Sequence, residues 1–113
     1  MAQERALKFD ELIKKEVGKI IFHLLDTRPG VLVTVTRVMT NSNLFTAEVF
    51  VSIYPSEKAP EVLKKLERLI YEVQQLLNRK LKVRPVPKII FKYDKNPEEA
   101  SKIENILKEI EEK

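Results

Sequence analysis

Apolar residues recur at spacings of three and four over the first part of the chain, which is the period of one face of an α-helix. The pattern predicts a helix from about Arg5 to Leu25. Proline and glycine in Asp26-Thr27-Arg28-Pro29-Gly30 end this helix, since neither residue continues a helix cheaply. The positions on its apolar face are Phe9, Leu12, Ile13, Val17, Ile20, Ile21 and Leu24.

Period-two alternation follows in two segments that are joined by a short polar stretch. Val31 to Met39 is rich in β-branched residues and predicts a strand with Val33 and Val35 on one face. Leu44 to Tyr54 predicts a second strand, and Thr40-Asn41-Ser42-Asn43 between them has the composition of a turn. The two strands therefore form an antiparallel hairpin. The positions expected on one face of the second strand are Phe45, Ala47, Val49, Val51 and Ile53.

The helical period returns in the second half of the chain. Pro60 suits the first position of a helix, Glu61 suits the positive end of its dipole, and the apolar stripe continues to about Lys80. Lys88 to Tyr93 predicts a third strand, and Asn96 can cap a final helix. The apolar positions of the long helix are Val62, Leu63, Leu66, Leu69, Ile70, Val73, Leu76 and Leu77.

The order α-β-β-α-β, followed by a C-terminal helix, predicts an α+β fold with two layers, a three-stranded sheet packed by helices. We expect residues 1–95 to form one domain and residues 96–113 to form an acidic helix that packs on it or is appended to it. Packing is the expected arrangement, since four aliphatic residues seldom stay exposed. The alternative is a loose helix that shields nearby positive charge. The aliphatic residues of this helix are Ile103, Ile106, Leu107 and Ile110.

Positive charge is concentrated in one part of the chain. The net charge is +4, and residues 61–96 hold ten Lys or Arg against four Asp or Glu, whereas residues 97–113 hold three against six. Clustered cations neutralise phosphates and indicate a polyanionic partner, although a charged run can equally be a solvated surface. We define the basic block as the cations between residues 79 and 95. They are Arg79, Lys80, Lys82, Arg84, Lys88, Lys92 and Lys95.

The residue types that most catalytic and metal sites require are scarce. The chain has no cysteine and one histidine, His23, within the first predicted helix. A zinc site or a Ser-His-Asp triad would depend on that residue alone. Only two glycines occur, and no apolar run approaches the roughly 20 residues of a membrane span. We therefore expect no enzyme activity, metal, cofactor or membrane partner, and a cytoplasmic location. Tyr54 and Tyr71 are expected on the surface, where incidental exposure is favoured over base stacking.

Four stretches of the chain are similar to motifs of a known family. Arg5 and the helix after it resemble the N-terminal segment of that family, and Asp26 to Gly30 is similar to its Asp-Pro-Arg-x-Gly turn. Asn43 to Ser52 is similar to its Asp-Leu-x-x-Ala-x-Val-Tyr-Val-Ser strand. Leu81 to Asp94 resembles its Leu-x-x-Arg-x-x-Pro-x-Leu-x-Phe-x-x-Asp signature. In this order and spacing, the motifs make the chain resemble ribosome-binding factor A over about residues 5–95.

The resemblance implies a type II KH-like fold in which the long helical region is bent at an Ala-x-Gly motif. The matching positions read Leu69-Ile70-Tyr71, which favours one continuous helix. The family implies a non-enzymatic assembly factor, monomeric and without a cofactor. It would bind 16S ribosomal RNA in the immature small (30S) subunit, promote late maturation, matter in the cold and then dissociate. The residues expected to bind RNA are Arg28, Arg79, Lys80, Lys82, Arg84 and Lys88.

Other functions remain open at the level of sequence. The main alternatives are a protein-binding α+β module whose positive charge is incidental and a stable ribosomal protein. A small hydrolase is a third, opposed by the missing active-site residues. Salt-dependent affinity for RNA would separate the first alternative from an RNA-binding factor, and absence from mature particles would separate the second.

Overall fold

The two predicted periods form the elements that they indicate. The protein is described by a computed structural model for residues 2–25, 29–43, 45–82 and 84–95. The helical elements are α1 (Ala2–Leu24), a single 3-10 turn (Ser56–Lys58) and α2 (Ala59–Lys80). The strands are β1 (Leu32–Thr40), β2 (Thr46–Tyr54) and β3 (Lys88–Tyr93). The predicted α-β-β-α-β order is confirmed, whereas the predicted C-terminal helix lies outside the described residues.

The three strands form one sheet in the order β1-β2-β3. β1 pairs antiparallel with β2, as the predicted hairpin requires, and β2 pairs parallel with β3. Because parallel neighbours need a crossover connection, α2 carries the chain from the end of β2 back to the start of β3. β1 and β3 are consequently the two edges of the sheet.

Both helices cover the same face of the sheet. α1 packs mainly against β1, α2 packs against β3 and β2, and the helices contact each other. The apolar stripes meet in one core between the layers, which gives the two-layer α+β architecture. The most buried members of this core are Ile13, Val17, Ala47, Val49, Val51, Leu66, Val73, Leu77 and Ile89.

The opposite face of the sheet is covered by neither helix, and we call it the open face. In β2 the residues alternate between buried positions and partly exposed ones, which separates the two faces cleanly. The strand register places the partners of the partly exposed residues on the same side. The open face consists of Leu32, Thr34, Arg37 and Met39 from β1, Thr46, Glu48, Phe50, Ser52 and Tyr54 from β2, and Lys88, Ile90 and Lys92 from β3.

Three local features of the structure bear on the predictions made from the sequence pattern. α2 is one continuous helix through Leu69-Ile70-Tyr71, which confirms the prediction made from the missing small residues. Phe45 was predicted to lie on the same face of β2 as the buried Ala47, and this was wrong: β2 begins one residue later and 65% of Phe45 is exposed. The pairing of β1 with β2 shifts register between Val35 and Arg37, so a β-bulge interrupts the alternation.

Candidate nucleic-acid interface

Three cations of the basic block are exposed where α2 ends. Arg79 and Lys80 belong to its last turn, and Lys82 follows two residues later. Leu81 between them is buried, and its N–H donates to the Leu77 carbonyl at 2.9 Å, so the backbone leaves the helix in a defined way. Positive side chains are favourable at this end because the helix dipole is negative there. The fold therefore projects these three charges outward from a fixed helix end.

Arg84 has a structural partner set at the same helix end. Its guanidinium donates from Nη1 to the Leu81 carbonyl at 2.7 Å and from Nη2 to the Asn78 carbonyl at 3.0 Å. The last carbonyl groups of a helix lack partners within the helix, and these bonds satisfy Asn78 of the last turn and the cap residue Leu81. Arg84 was predicted to bind RNA with its neighbours. Its charge stays near the cluster, but its donors hold the loop that follows α2.

Lys88 lies at the same end of the domain as the end of α2. The Gln74 side chain of α2 accepts a hydrogen bond from the Ile89 N–H at 2.8 Å and donates to the Pro87 carbonyl at 3.1 Å. These bonds hold the start of β3 against the C-terminal half of α2. Lys88 itself is exposed, on the open face. We define the cationic end as Arg79, Lys80, Lys82 and Lys88.

The remaining cations of the basic block lie elsewhere. Lys92 is on the open face opposite Phe50, four residues further along β3 than Lys88. Lys95 is exposed beyond the other end of β3, about 23 Å from Lys88 at 3.3 Å per residue of strand. The seven cations of the basic block, which lie within one stretch of the sequence, are therefore not one surface patch. Arg28, also predicted to bind RNA, lies outside the described residues.

An arginine that the sequence pattern did not single out joins the open face. The Arg37 guanidinium carbon lies 4.1 Å from the centre of the Phe50 ring, a cation–π contact. Continued alternation from Val33 and Val35 would place Arg37 towards the helices. The break in apolar alternation between Val35 and the buried Val38 is the signal that could have revealed it.

Two concave regions lie beside β1. A cleft of about 390 Å³ separates α1 from β1, and Lys14, Lys15 and Gly18 contribute to its wall. A smaller cavity of about 120 Å³ lies where α1 ends and β1 begins, beside Phe22 and Leu32. Those two side chains are 81% and 63% exposed, so this corner of the domain presents apolar surface.

The other side chains considered as candidate functional groups lie on the surface. His23 is exposed in the last turn of α1, with the Phe22 ring edge-on to it at 5.6 Å. Tyr54 and Tyr71 are each 72% exposed, as expected of surface tyrosines. Among residues 2–25, 29–43, 45–82 and 84–95, no group of three His, Cys, Asp or Glu side chains could hold a metal ion. No helix within the same residues is long and apolar enough to cross a membrane.

Comparison of the sequence with protein families gives a match over most of the chain. The model of the family described as ribosome-binding factor A matches residues 5–107. A ribosome-binding factor A of Halothermothrix orenii is 36% identical over 114 aligned residues, which cover 99% of this chain and 93% of the relative. One from Clostridium botulinum strain Hall is 35% identical, with 99% and 95% covered.

Comparison of the structure with solved structures agrees. The crystal structure of ribosome-binding factor A from Thermus thermophilus superposes with a TM-score of 0.67 at 23% identity, covering 78% of this chain and 94% of the other. Coordinates of the Thermus thermophilus factor as fitted into the cryo-EM map of its 30S complex give a TM-score of 0.60 at 25% identity. They cover 74% of this chain and 88% of the other. The comparisons of sequence and of structure therefore find members of the same family.

Proposed function

The chain belongs to the ribosome-binding factor A family, and on that premise we propose that it binds the immature small ribosomal subunit through 16S ribosomal RNA. In this proposal it promotes the late maturation of the subunit without catalysing a reaction, and it acts as a monomer. A relative of the same fold has been fitted into a 30S complex, which supports the small subunit as the partner.

The observation that carries the proposal is the cationic end. Arg79, Lys80 and Lys82 are exposed at the end of α2, and Lys88 is exposed at the start of the neighbouring strand. Salt bridges within the described residues join Lys19 to Glu16 and Lys58 to Glu61, so acids of that part do not neutralise these four cations. Lysine and arginine on a rigid scaffold bind phosphates by displacing counterions from the RNA.

Binding alone can promote maturation if the protein prefers one arrangement of the RNA. A ligand shifts a conformational equilibrium by the difference between its affinities for the two states. A tenfold preference for a late but not yet mature arrangement over an earlier one would supply about 1.4 kcal/mol towards the late arrangement. The fixed spacing of the cationic end provides such a preference, because only some RNA conformations present phosphates that match it.

The test is cosedimentation with purified small subunits over a series of salt concentrations. We expect the triple change Arg79→Ala, Lys80→Ala and Lys82→Ala to weaken binding. It should reduce the slope of log K against log salt by about 2–3, from roughly 0.7–0.9 per phosphate contact. Arg84 is left intact because its hydrogen bonds hold the chain after α2.

A matched control comes from the same helix. Lys64, Lys65 and Arg68 are exposed in the middle of α2 and have the same composition as the test set. Changing all three to Ala removes the same charge, but from a surface outside the cationic end. We therefore expect this variant to reduce affinity and the salt slope less than the triple variant at the cationic end does. Equal effects of the two triple variants would show that total charge, rather than the cationic end, determines binding.

Two further outcomes of the same experiment decide between functions. Immature particles are expected to bind more tightly than mature 30S subunits, and equal binding at high salt would favour a stable ribosomal protein. Binding that does not depend on salt would favour a protein-binding module. The exposed apolar corner at Phe22 and Leu32 gives that second candidate a specific surface.

A further inference from the structure

The β-bulge in β1 exchanges the faces of two neighbouring side chains. Val35 pairs with Val51 and Arg37 pairs with Phe50, so Thr36 is the extra residue. Without it, the alternation of β1 would direct Arg37 to the core and Val38 to the open face. With it, Val38 is only 6% exposed and Arg37 lies on the open face.

Side-chain hydrogen bonds hold the bulge in place. The Thr36 hydroxyl donates to the Asp94 carboxylate at 2.7 Å and lies 3.3 Å from the Phe50 carbonyl oxygen. Asp94 is fixed in turn, because its N–H donates to the Val51 carbonyl at 2.7 Å. The bulge therefore connects β1 to the end of β3 across the middle strand. Arg37 is placed by a built feature of the sheet.

The result is a row of three side chains across the centre of the open face. Phe50 on β2 has Arg37 beside it on β1 and Lys92 beside it on β3. The Arg37 guanidinium lies over the ring, 4.1 Å from its centre. The Arg37 side chain is exposed, so a further planar group can approach its guanidinium from solvent. The strands on both sides of Phe50 therefore carry a cationic residue at the paired position.

We propose that the open face binds an unpaired segment of RNA, with one nucleobase stacked on the Arg37 guanidinium above Phe50. Lys92 and Lys88 would contact the adjoining phosphates. The inference rests on the proposed function, since it assigns a second RNA contact to the same protein. Stacking suits this site because unpaired bases bind on aromatic rings and on arginine planes, whereas paired bases are not available for it.

The composition of the open face favours RNA over a protein partner. Its cations are Arg37, Lys88 and Lys92, and the nearby acids are Glu48 and the Asp94 carboxylate that accepts from Thr36. Tyr54 adds a second ring on the same face, 72% exposed and about 13 Å from Phe50 along β2. Cations beside a half-buried and an exposed ring match a chain that alternates phosphates with flat bases.

The test uses the full chain and a short unstructured oligoribonucleotide that carries one 2-aminopurine. Stacking of this base changes its fluorescence, and the duplex form of the same RNA is the comparison. We expect binding to change the fluorescence of the single strand more than that of the duplex. Arg37→Lys keeps the charge but loses the plane, so affinity for the single strand should fall by about fivefold or more with the salt slope unchanged.

Matched controls keep the result interpretable. Arg68→Lys makes the same chemical change on α2, on the far layer of the domain, and should leave affinity and fluorescence unchanged. Tyr54→Leu removes the second ring. Because Tyr54 is exposed, this change should leave the fold intact, and it should also weaken binding of the single strand. Melting curves of all variants verify that each is folded.

The outcomes separate this inference from the proposed function. One outcome is that the wild type binds both small subunits and single-stranded RNA, and that Arg37→Lys and Tyr54→Leu bind them as tightly as the control Arg68→Lys. In that case the open face is not an RNA site. The same conclusion follows if Arg37→Lys weakens binding to subunits but not to the oligoribonucleotide, which indicates a protein occupant. If the wild type binds no subunits, the proposed function itself fails.

Discussion

Gln74 joins α2 to the edge of the sheet, and its removal gives a sharp test of how β3 is held. Its Oε1 atom accepts from the Ile89 N–H at 2.8 Å, and its Nε2 atom donates to the Pro87 carbonyl and to Asn78 Oδ1, both at 3.1 Å. Pro87 and Ile89 are buried. Gln74→Ala therefore leaves a buried N–H and a buried carbonyl of an edge strand without these partners.

The size of the effect follows from those two backbone groups. A buried polar group that loses its partner costs about 1–3 kcal/mol. Two such groups give about 2–6 kcal/mol, from which about 1–2 kcal/mol is recovered because the Gln74 side chain no longer has to be ordered. The middle of these ranges gives a loss of about 2–3 kcal/mol in the free energy of unfolding for Gln74→Ala. That is a large part of the roughly 5–15 kcal/mol that stabilises a domain.

The assay is urea denaturation followed by circular dichroism, with Gln75→Ala as the matched control. Gln75 is the next residue of α2 and is exposed, so its replacement has the same intrinsic effect on the helix without the contacts to β3. Gln74→Met keeps the length of the side chain and removes only its hydrogen-bonding groups. We expect both Gln74 variants to be destabilised relative to Gln75→Ala and to exchange the Ile89 amide proton faster. If Gln74→Met is as stable as Gln75→Ala, the reasoning about these hydrogen bonds is wrong.

The remaining predictions concern other single features. Gly18→Ala in α1 should raise the free energy of unfolding by about 0.5–1 kcal/mol, since an added Cβ meets nothing within 4 Å, as chemical denaturation would show. Gly30→Ala should lower it by about 1 kcal/mol in the same assay, because Gly30 has a φ of +93°. Asp10→Ala should cost roughly 1.5 kcal/mol or more, and Asp10→Asn less, because the Asp10 carboxylate accepts the Thr40 N–H at 2.7 Å. If residues 96–113 pack on the domain, truncation after Lys95 should lower the melting temperature with little gain in RNA affinity. If they act as a shield, truncation should tighten RNA binding in a gel-shift titration at low salt and leave the melting temperature nearly unchanged.

Local periodicity was enough to predict the elements and the layers. The bounds of β3 agree with the predicted Lys88 to Tyr93, and α1 and α2 begin within three residues of the predicted positions. These elements carry strong patterns because one side of each must be apolar. The continuity of α2 was also readable from sequence, since Leu69-Ile70-Tyr71 contains no small residue and no proline.

The errors occur where pairing between distant residues overrides the local pattern. Phe45 continues the alternation of β2 in sequence, but strand pairing begins after it and its side chain stays in solvent. The polar face of α2 gave no sign that Gln74 reaches β3, while Gln75 beside it does not. Arg37 was missed because its face depends on a single extra residue, and that residue is held by Asp94, 58 positions away.

The candidate site divides in the same way. Sequence identifies which residues are cations, but the fold decides which of them act together. Arg84 is drawn into the end of α2, Lys95 lies beyond the far end of β3, and Arg37 enters from another part of the chain. The seven cations of the basic block therefore do not form one surface. The fold instead presents two surfaces with different chemistry. The cationic end offers point charges, whereas the open face combines charge with rings.

Lys88 belongs to both of these surfaces, and this has a consequence for how RNA would lie on the protein. It is the first residue of β3, held next to α2 through the bonds of Gln74 to Pro87 and Ile89. It also faces the same side of the sheet as Lys92, four residues along the strand. A backbone bound at the end of α2 could therefore continue along β3 onto the open face, passing Ile90 between Lys88 and Lys92. Because α2 and β3 are joined by part-buried hydrogen bonds, the spacing between the two contacts is fixed by the fold. That rigidity is what would let the protein distinguish between RNA conformations that carry the same phosphates.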